Sequence, residues 1–161
     1  MSRSRVGVFA VLLTAAVAVT GCSTTVSLPT PTDANDPLCA QVTAYLPGTL
    51  DGQPRRWTDA QATGAWGDGE TTIIVSCGVA VPAASELPCQ TVDGIDWLID
   101  DSEAPHYRFT TFGRTPAVEV YVDYDKVSAF SALDALSSLV SKLPKDGECT
   151  ARPGATPGPT A

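Results

Sequence analysis

One histidine, one methionine and ten lysines and arginines are all that a chain of 161 residues supplies of those types, and each shortage removes a class of chemistry. A Ser-His-Asp or Cys-His relay has only His106 to run through. That residue follows Pro105 in a stretch that reads as a loop, and no Gly-x-Ser-x-Gly turn is present to hold up a nucleophile. His106 therefore reads as a surface histidine. No Cys-x-x-Cys pair and no histidine close to a cysteine provides the ligand spacing of a zinc site, so neither a metal nor a cofactor is expected. Basic residues are outnumbered by 18 Asp and Glu, for a formal charge of −8, and such a surface repels nucleic acid and anionic head groups.

A long apolar run is also missing. The longest, residues 6–19, has 14 residues, short of the roughly 20 needed to span a bilayer. It follows Arg3 and Arg5 and ends at Val19-Thr20-Gly21-Cys22, the layout of a charged n-region, an apolar h-region and a small residue before a cleavage site. The pattern resembles the bacterial lipobox, with Val19 where leucine is commoner. Residues 1–21 are expected to be a signal peptide, and Cys22 to carry a diacylglyceryl thioether at the new N-terminus. Two acyl chains, at roughly 0.8 kcal/mol for each buried methylene, are enough to anchor a protein. The expected location is the cell membrane, lipid-anchored on the extracytoplasmic face.

Cysteine is present in odd number, five in all. Setting Cys22 aside for lipid leaves Cys39, Cys77, Cys89 and Cys149, an even set suited to two disulfides in an oxidising compartment. Cys77 and Cys89 flank an expected hairpin connection, and Cys39 and Cys149 mark the ends of the folded unit, so those two pairings are favoured.

After Cys22, residues 22–36 are rich in Ser, Thr and Pro and poor in large apolar groups, the composition of a flexible tether. Residues 37–149 form one expected α+β domain, and residues 150–161, again Pro, Gly, Ala and Thr, an expected disordered tail. Asp36-Pro37 starts a helix over 37–46, and Thr58 with Gln61 resembles a capping box for a brief helix ending near Gly64. Strands are expected at 71–81, in the stretch that follows Cys89 and runs to Asp100, with a bulge at Gly94 between Val92 and Ile95, at 107–112 and at 117–122. Asp123 or Asp125 caps a final helix carrying Val127, Phe130, Leu133, Leu136, Val140 and Leu143 on one face. The expected fold is a four-stranded antiparallel sheet flanked by an N-terminal and a C-terminal helix and braced by two disulfides.

Two groups remain as candidate sites. Asp93, Asp96, Asp100, Asp101 and Glu103 lack the register of a calcium loop and read first as a solvated strand edge. Three tryptophans are many for so small a domain: Trp97 sits among apolar neighbours and reads as core, whereas Trp66, in Ala65-Trp66-Gly67-Asp68, is expected in a loop. With Asp68, Arg56 and Arg114 it forms a candidate binding surface, unless the ring instead plugs the open end of the sheet.

On Leu46-Pro47, Arg55-Arg56 with Thr58, Ala65-Trp66-Gly67-Asp68, Cys77-Gly78-Val79, Cys89, Asp96-Trp97 and Gly113-Arg114 with Pro116, the chain resembles a family of small actinobacterial secreted proteins and lipoproteins, domain-of-unknown-function family 3515. Gly69 stands where proline commonly follows the Trp-Gly-Asp triplet. The resemblance implies a cell-envelope location and no catalytic residue. The expected function is thus a membrane-anchored envelope lipoprotein, a non-catalytic module that binds an envelope protein or a wall component. A hydrolase of envelope polymers working through Asp96 or Asp68 is the alternative, and a spacer or assembly factor a third reading.

Overall fold

In the computed structural model the described residues are 25–83 and 86–149. The expected signal peptide, the lipidation at Cys22 and the expected tail at 150–161 lie outside them.

The elements run α1 (Pro37–Ala44), β1 (Thr49–Leu50), β2 (Gln53–Arg56), β3 (Thr63–Trp66), β4 (Ile73–Val79), β5 (Cys89–Val92), β6 (Ile95–Glu103), β7 (His106–Thr111), β8 (Ala117–Asp123) and α2 (Ala129–Val140). The strands form one antiparallel sheet of eight in the order β1-β2-β3-β4-β8-β7-β6-β5, not the four-stranded sheet expected. The four additional strands are short, and β1, β2 and β5 among them adjoin tight turns. Asp51-Gly52 joins β1 to β2 and Asp93-Gly94 joins β5 to β6, all four residues having positive φ between 45° and 75°, as a two-residue type I′ hairpin requires. Gly94 is therefore a turn residue and not a bulge. The helix expected to end near Gly64 is replaced by β3, whose Thr63 and Trp66 pair with Ser76 and Ile73.

Along β4 and β8, Ile73, Val75 and Cys77 pair across to Val122, Val120 and Val118, and all six are fully buried. This period-two face forms one core with Cys39 and Val42 of α1 and Leu133, Leu136 and Val140 of α2. The neighbours on the same strands, Ile74, Ser76, Glu119 and Tyr121, lie on the other face and are half-buried. α1 begins as expected, with Pro37 in its first turn and the Asp36 carboxylate accepting from the Leu38 amide at 2.8 Å. α2 starts later than expected, at the N-cap Ser128. Asp123 instead holds the turn before it, its carboxylate accepting from the Asp125 amide at 3.3 Å.

The disulfides are Cys39–Cys77 and Cys89–Cys149, not the pairings favoured from sequence. Cys77 and Cys89 do not flank a hairpin, because β4 lies between β3 and β8 while β5 is the far edge strand. One bridge ties α1 to the centre of the sheet, and the other ties the edge strand to the segment after α2.

The expected tether is also different over its described part. The Val26 amide donates to the Trp57 carbonyl at 2.8 Å and the Asp59 amide to the Val26 carbonyl at 3.2 Å. Asp33 donates to the Gly78 carbonyl at 2.8 Å, and Pro31 and Ala34 are buried. A segment poor in large side chains is held here mainly by its backbone, which composition does not report.

Candidate functional site

Apolar residues brought together by three strands, a helix and the turn between β8 and α2 line a groove of about 280 Å³. Val92 of β5, Ile99 of β6, and Tyr107 and Phe109 of β7 form its floor, while Tyr124 and Phe130 stand at its rim, with Gln90 as a polar member. Register explains the floor: Ile99 pairs with Phe109 and Tyr107 with Val122, so these side chains share the core-facing side of the sheet. α2 covers that side only in part. Tyr107 packs against Phe109 at 6.3 Å between ring centroids and against Tyr124 at 4.9 Å. Phe130, expected on the buried face of α2, is 61% exposed, and Tyr124 54%. A space of this size takes one large side chain or a short apolar tail, below the several hundred Å³ of most small-molecule sites.

The four residues of the candidate binding surface do not converge. Trp66 is fully buried on β3, its indole Nε1–H donating to the Pro47 carbonyl at 3.0 Å, with the Arg55 guanidinium 5.9 Å from the ring. It is a core residue within a strand and not a loop residue. Asp68 is exposed in the β3–β4 turn, where the Gln53 side-chain oxygen accepts from its amide at 3.3 Å. Arg56 lies on β2 and donates to the Thr71 hydroxyl at 2.9 Å. Arg114 is at the opposite end of the sheet, in the β7–β8 connection: buried, it donates to the carbonyls of Ser141 at 3.3 Å and Leu143 at 2.7 Å. There its charge meets the negative end of α2.

The acidic run is equally dispersed. Asp96 is buried, accepting from the Thr91 hydroxyl at 2.6 Å and from the Cys149 amide at 3.0 Å. Asp100 accepts from the Ser102 amide at 3.0 Å, which draws its carboxyl below the usual range together with the Ser102 hydroxyl, the larger cause. Glu103 pairs with Arg108 at 3.0 Å. Among the described residues, no group of three or more His, Cys, Asp or Glu is placed to hold a metal ion. Asp96 and Asp68 sit at opposite ends of the sheet: the Asp96 carbonyl accepts from Phe112, beside the Gly113 turn, whereas Asp68 follows Trp66, which pairs with Ile73.

His106 is half-exposed on the face away from the helices, stacked on Tyr121 at 5.4 Å with Nε2 3.9 Å from the Asp123 carboxylate. The Arg108 guanidinium also lies over the Tyr121 ring, at 5.2 Å. Burial raises the Tyr121 phenol above its usual value, and the Arg108 charge acts against that rise.

The family model matches residues 4–147. The chain belongs to DUF3515, a family of proteins of unknown function. The DUF3515 match takes in all ten described helices and strands and stops two residues before Cys149. No curated protein and no solved structure matches the chain. The residues on which the DUF3515 resemblance rests turn out to hold the fold. Cys77 and Cys89 are bridged, Trp66 and Trp97 are core, and Arg114 caps α2. A Cβ on Gly67, Gly78 or Gly113 would strike the backbone of Glu70, Asp33 or Gly147. The groove residues Tyr107, Tyr124 and Phe130 belong to no such motif. The signal that pointed toward them was Phe130 within an apolar helical stripe, which periodicity assigns to the core.

Proposed function

We propose that this DUF3515 chain is an exported lipoprotein, held at the extracytoplasmic face of the cell membrane by a diacylglyceryl group on Cys22 and acting there as a non-catalytic binding or assembly module of the envelope. The observation that carries the reading is cysteine accounting. Cys39–Cys77 and Cys89–Cys149 use every cysteine of the domain, leaving Cys22 as the one thiol, directly behind Val19-Thr20-Gly21 and the apolar run. Two bridges suit an oxidising compartment outside the cytoplasm. Among the described residues no helix is long and apolar enough to cross a membrane, so an anchor in this reading falls to the lipid. The binding half rests on the groove, whose rim exposes Tyr124 and Phe130 on a chain of net charge −8; a partner presenting one apolar side chain within a polar or basic surface suits it.

The hydrolase alternative needs two carboxylates across one cleft, and the separation of Asp68 from Asp96 gives that pair no common cleft. Fractionation of cells expressing the Cys22→Ala chain tests the anchor: release from the membrane fraction is expected, and retention contradicts it. A photo-crosslinking residue placed at position 130 in the intact cell tests the binding half. One discrete adduct, lost on Tyr124→Ala, is expected, whereas the same adducts from a crosslinker at exposed Tyr45 contradict it.

A further inference from the structure

The point at which the N-terminal segment is first bonded to the domain decides how far the domain can stand from its anchor. Val26 is fixed to the connection between β2 and β3, bonded to Trp57 and Asp59, and Asp59 also accepts from the Ser27 hydroxyl at 2.7 Å and the Leu28 amide at 3.0 Å. Four residue steps separate Cys22 from Val26, at most about 14 Å when fully extended. A tether running to Asp36 would have set the domain free of the bilayer; this one does not.

The residue bonded to Val26 is itself unusual. Trp57 is 76% exposed, whereas Trp66 and Trp97 are fully buried. It follows β2 at the end of the sheet where β3 begins and β4 ends, since Thr63 pairs with Ser76 and Trp66 with Ile73. Val81, just beyond β4 at that same end, is 47% exposed. Resting on the lipoprotein reading above, we propose that Trp57 docks this end of the domain into the membrane interface beside the Cys22 lipid, fixing the domain's orientation on the bilayer. An indole suits that depth, since its ring prefers the apolar side and its N–H the wet side. The acyl chains supply the affinity and Trp57 the pose, so the two are separable. Without Arg3 and Arg5 of the signal peptide, eight Lys and Arg face 18 Asp and Glu, a formal charge of −10, which gives no attraction to anionic head groups, so the contact does not need acidic lipid. The groove then faces away from the bilayer: Tyr124 and Phe130 lie at the other end of the sheet, and β7 is four strands from β2, roughly 19 Å across at the usual strand spacing.

The test uses the full lipidated protein in phosphatidylcholine vesicles with brominated acyl chains, which quench indoles at the interface. Because Trp66 and Trp97 are buried, the difference between wild type and Trp57→Phe isolates Trp57. Quenching in the wild type that is lost in Trp57→Phe, with both proteins equally retained on vesicles, is the expected result. The same difference should shrink when a Gly-Ser insert follows Ser23. Acylated protein whose Trp57 emission is unaffected by bromolipid and open to aqueous acrylamide overturns the docking while leaving the anchor intact. Shielding of Trp57 from both quenchers points to a protein partner and overturns it too. If intact mass shows Cys22 unacylated, the anchor fails and the docking with it.

Discussion

The two buried tryptophans differ in a single hydrogen bond, which makes them a controlled pair. Trp66 donates to the Pro47 carbonyl, while the Trp97 Nε1–H is buried with no partner among the described residues. Replacement by phenylalanine removes similar volume in both cases. In Trp66→Phe it also strands a carbonyl, and in Trp97→Phe it removes a donor that gains nothing. Trp66→Phe should therefore cost more than Trp97→Phe by on the order of 1–2 kcal/mol in denaturant unfolding; equal costs would show that the Pro47 bond contributes nothing. Asp59 gives a pH-dependent case. The Leu28 amide, and after it the Ser27 hydroxyl, hold its carboxyl below the usual 3.8. Its contribution to pinning the N-terminal segment is therefore complete above the ordinary carboxylate value and lost as pH falls through the lower folded one. Amide exchange at Leu28, corrected for its intrinsic pH dependence, should lose protection only below about pH 4, and Asp59→Asn should abolish that step.

At the scale of elements, sequence periodicity served where a strand was long enough to show it. β4, β7 and β8 each present a run of six or seven residues, and each lies within two residues of its expected limits; α1 is legible through Asp36-Pro37, and α2 through its apolar stripe although it starts at Ser128 and not at Asp123 or Asp125. β1, β2, β3 and β5 have two to four residues each, too few for alternation to register. Gln53-Pro54-Arg55-Arg56 carries no apolar residue at all. The signal available for β1, β2 and β5 is the Asp-Gly pair in each turn, a backbone signal rather than a hydrophobic one, and hydrophobic periodicity does not report it. The disulfides were misassigned for the same reason, since without β5 as a separate edge strand Cys77 and Cys89 looked adjacent. Thr58 and Gln61 mimic a helix cap and so hide the strand that holds Trp66, and the groove is not visible because nothing in the apolar stripe of α2 distinguishes exposed Phe130 from buried Leu133. Turn chemistry also gives a prediction. Gly94 has open space around it, whereas a side chain on Gly113 meets the Gly147 backbone. Gly94→Ala should cost about 1–2 kcal/mol for its positive φ, and Gly113→Ala roughly 2–5 kcal/mol once the clash is added. Similar losses in thermal unfolding would mean that the 144–147 segment yields easily.

Taken whole, the molecule is an open sheet with both helices packed into one core, and its two bridges close loops with sequence separations of 38 and 60 residues. Each should restrict the unfolded chain by about 4 kcal/mol. Peptide mapping without reduction should recover Cys39 linked to Cys77, and the Cys39→Ala/Cys77→Ala pair should lower stability by nearly that amount; a peptide joining Cys77 to Cys89 would contradict the sheet order itself. The pinned N-terminal segment with the exposed Trp57 beside it and the groove at the far corner give the molecule two poles, the first proposed here to meet the membrane and the second a partner. That polarity depends on Cys22. The most direct measurement is the mass of the N-terminal peptide of the mature protein taken from membranes: the account predicts a chain beginning at Cys22 with a diacylglyceryl thioether, and a chain that begins elsewhere, or at Cys22 with a free thiol, contradicts it.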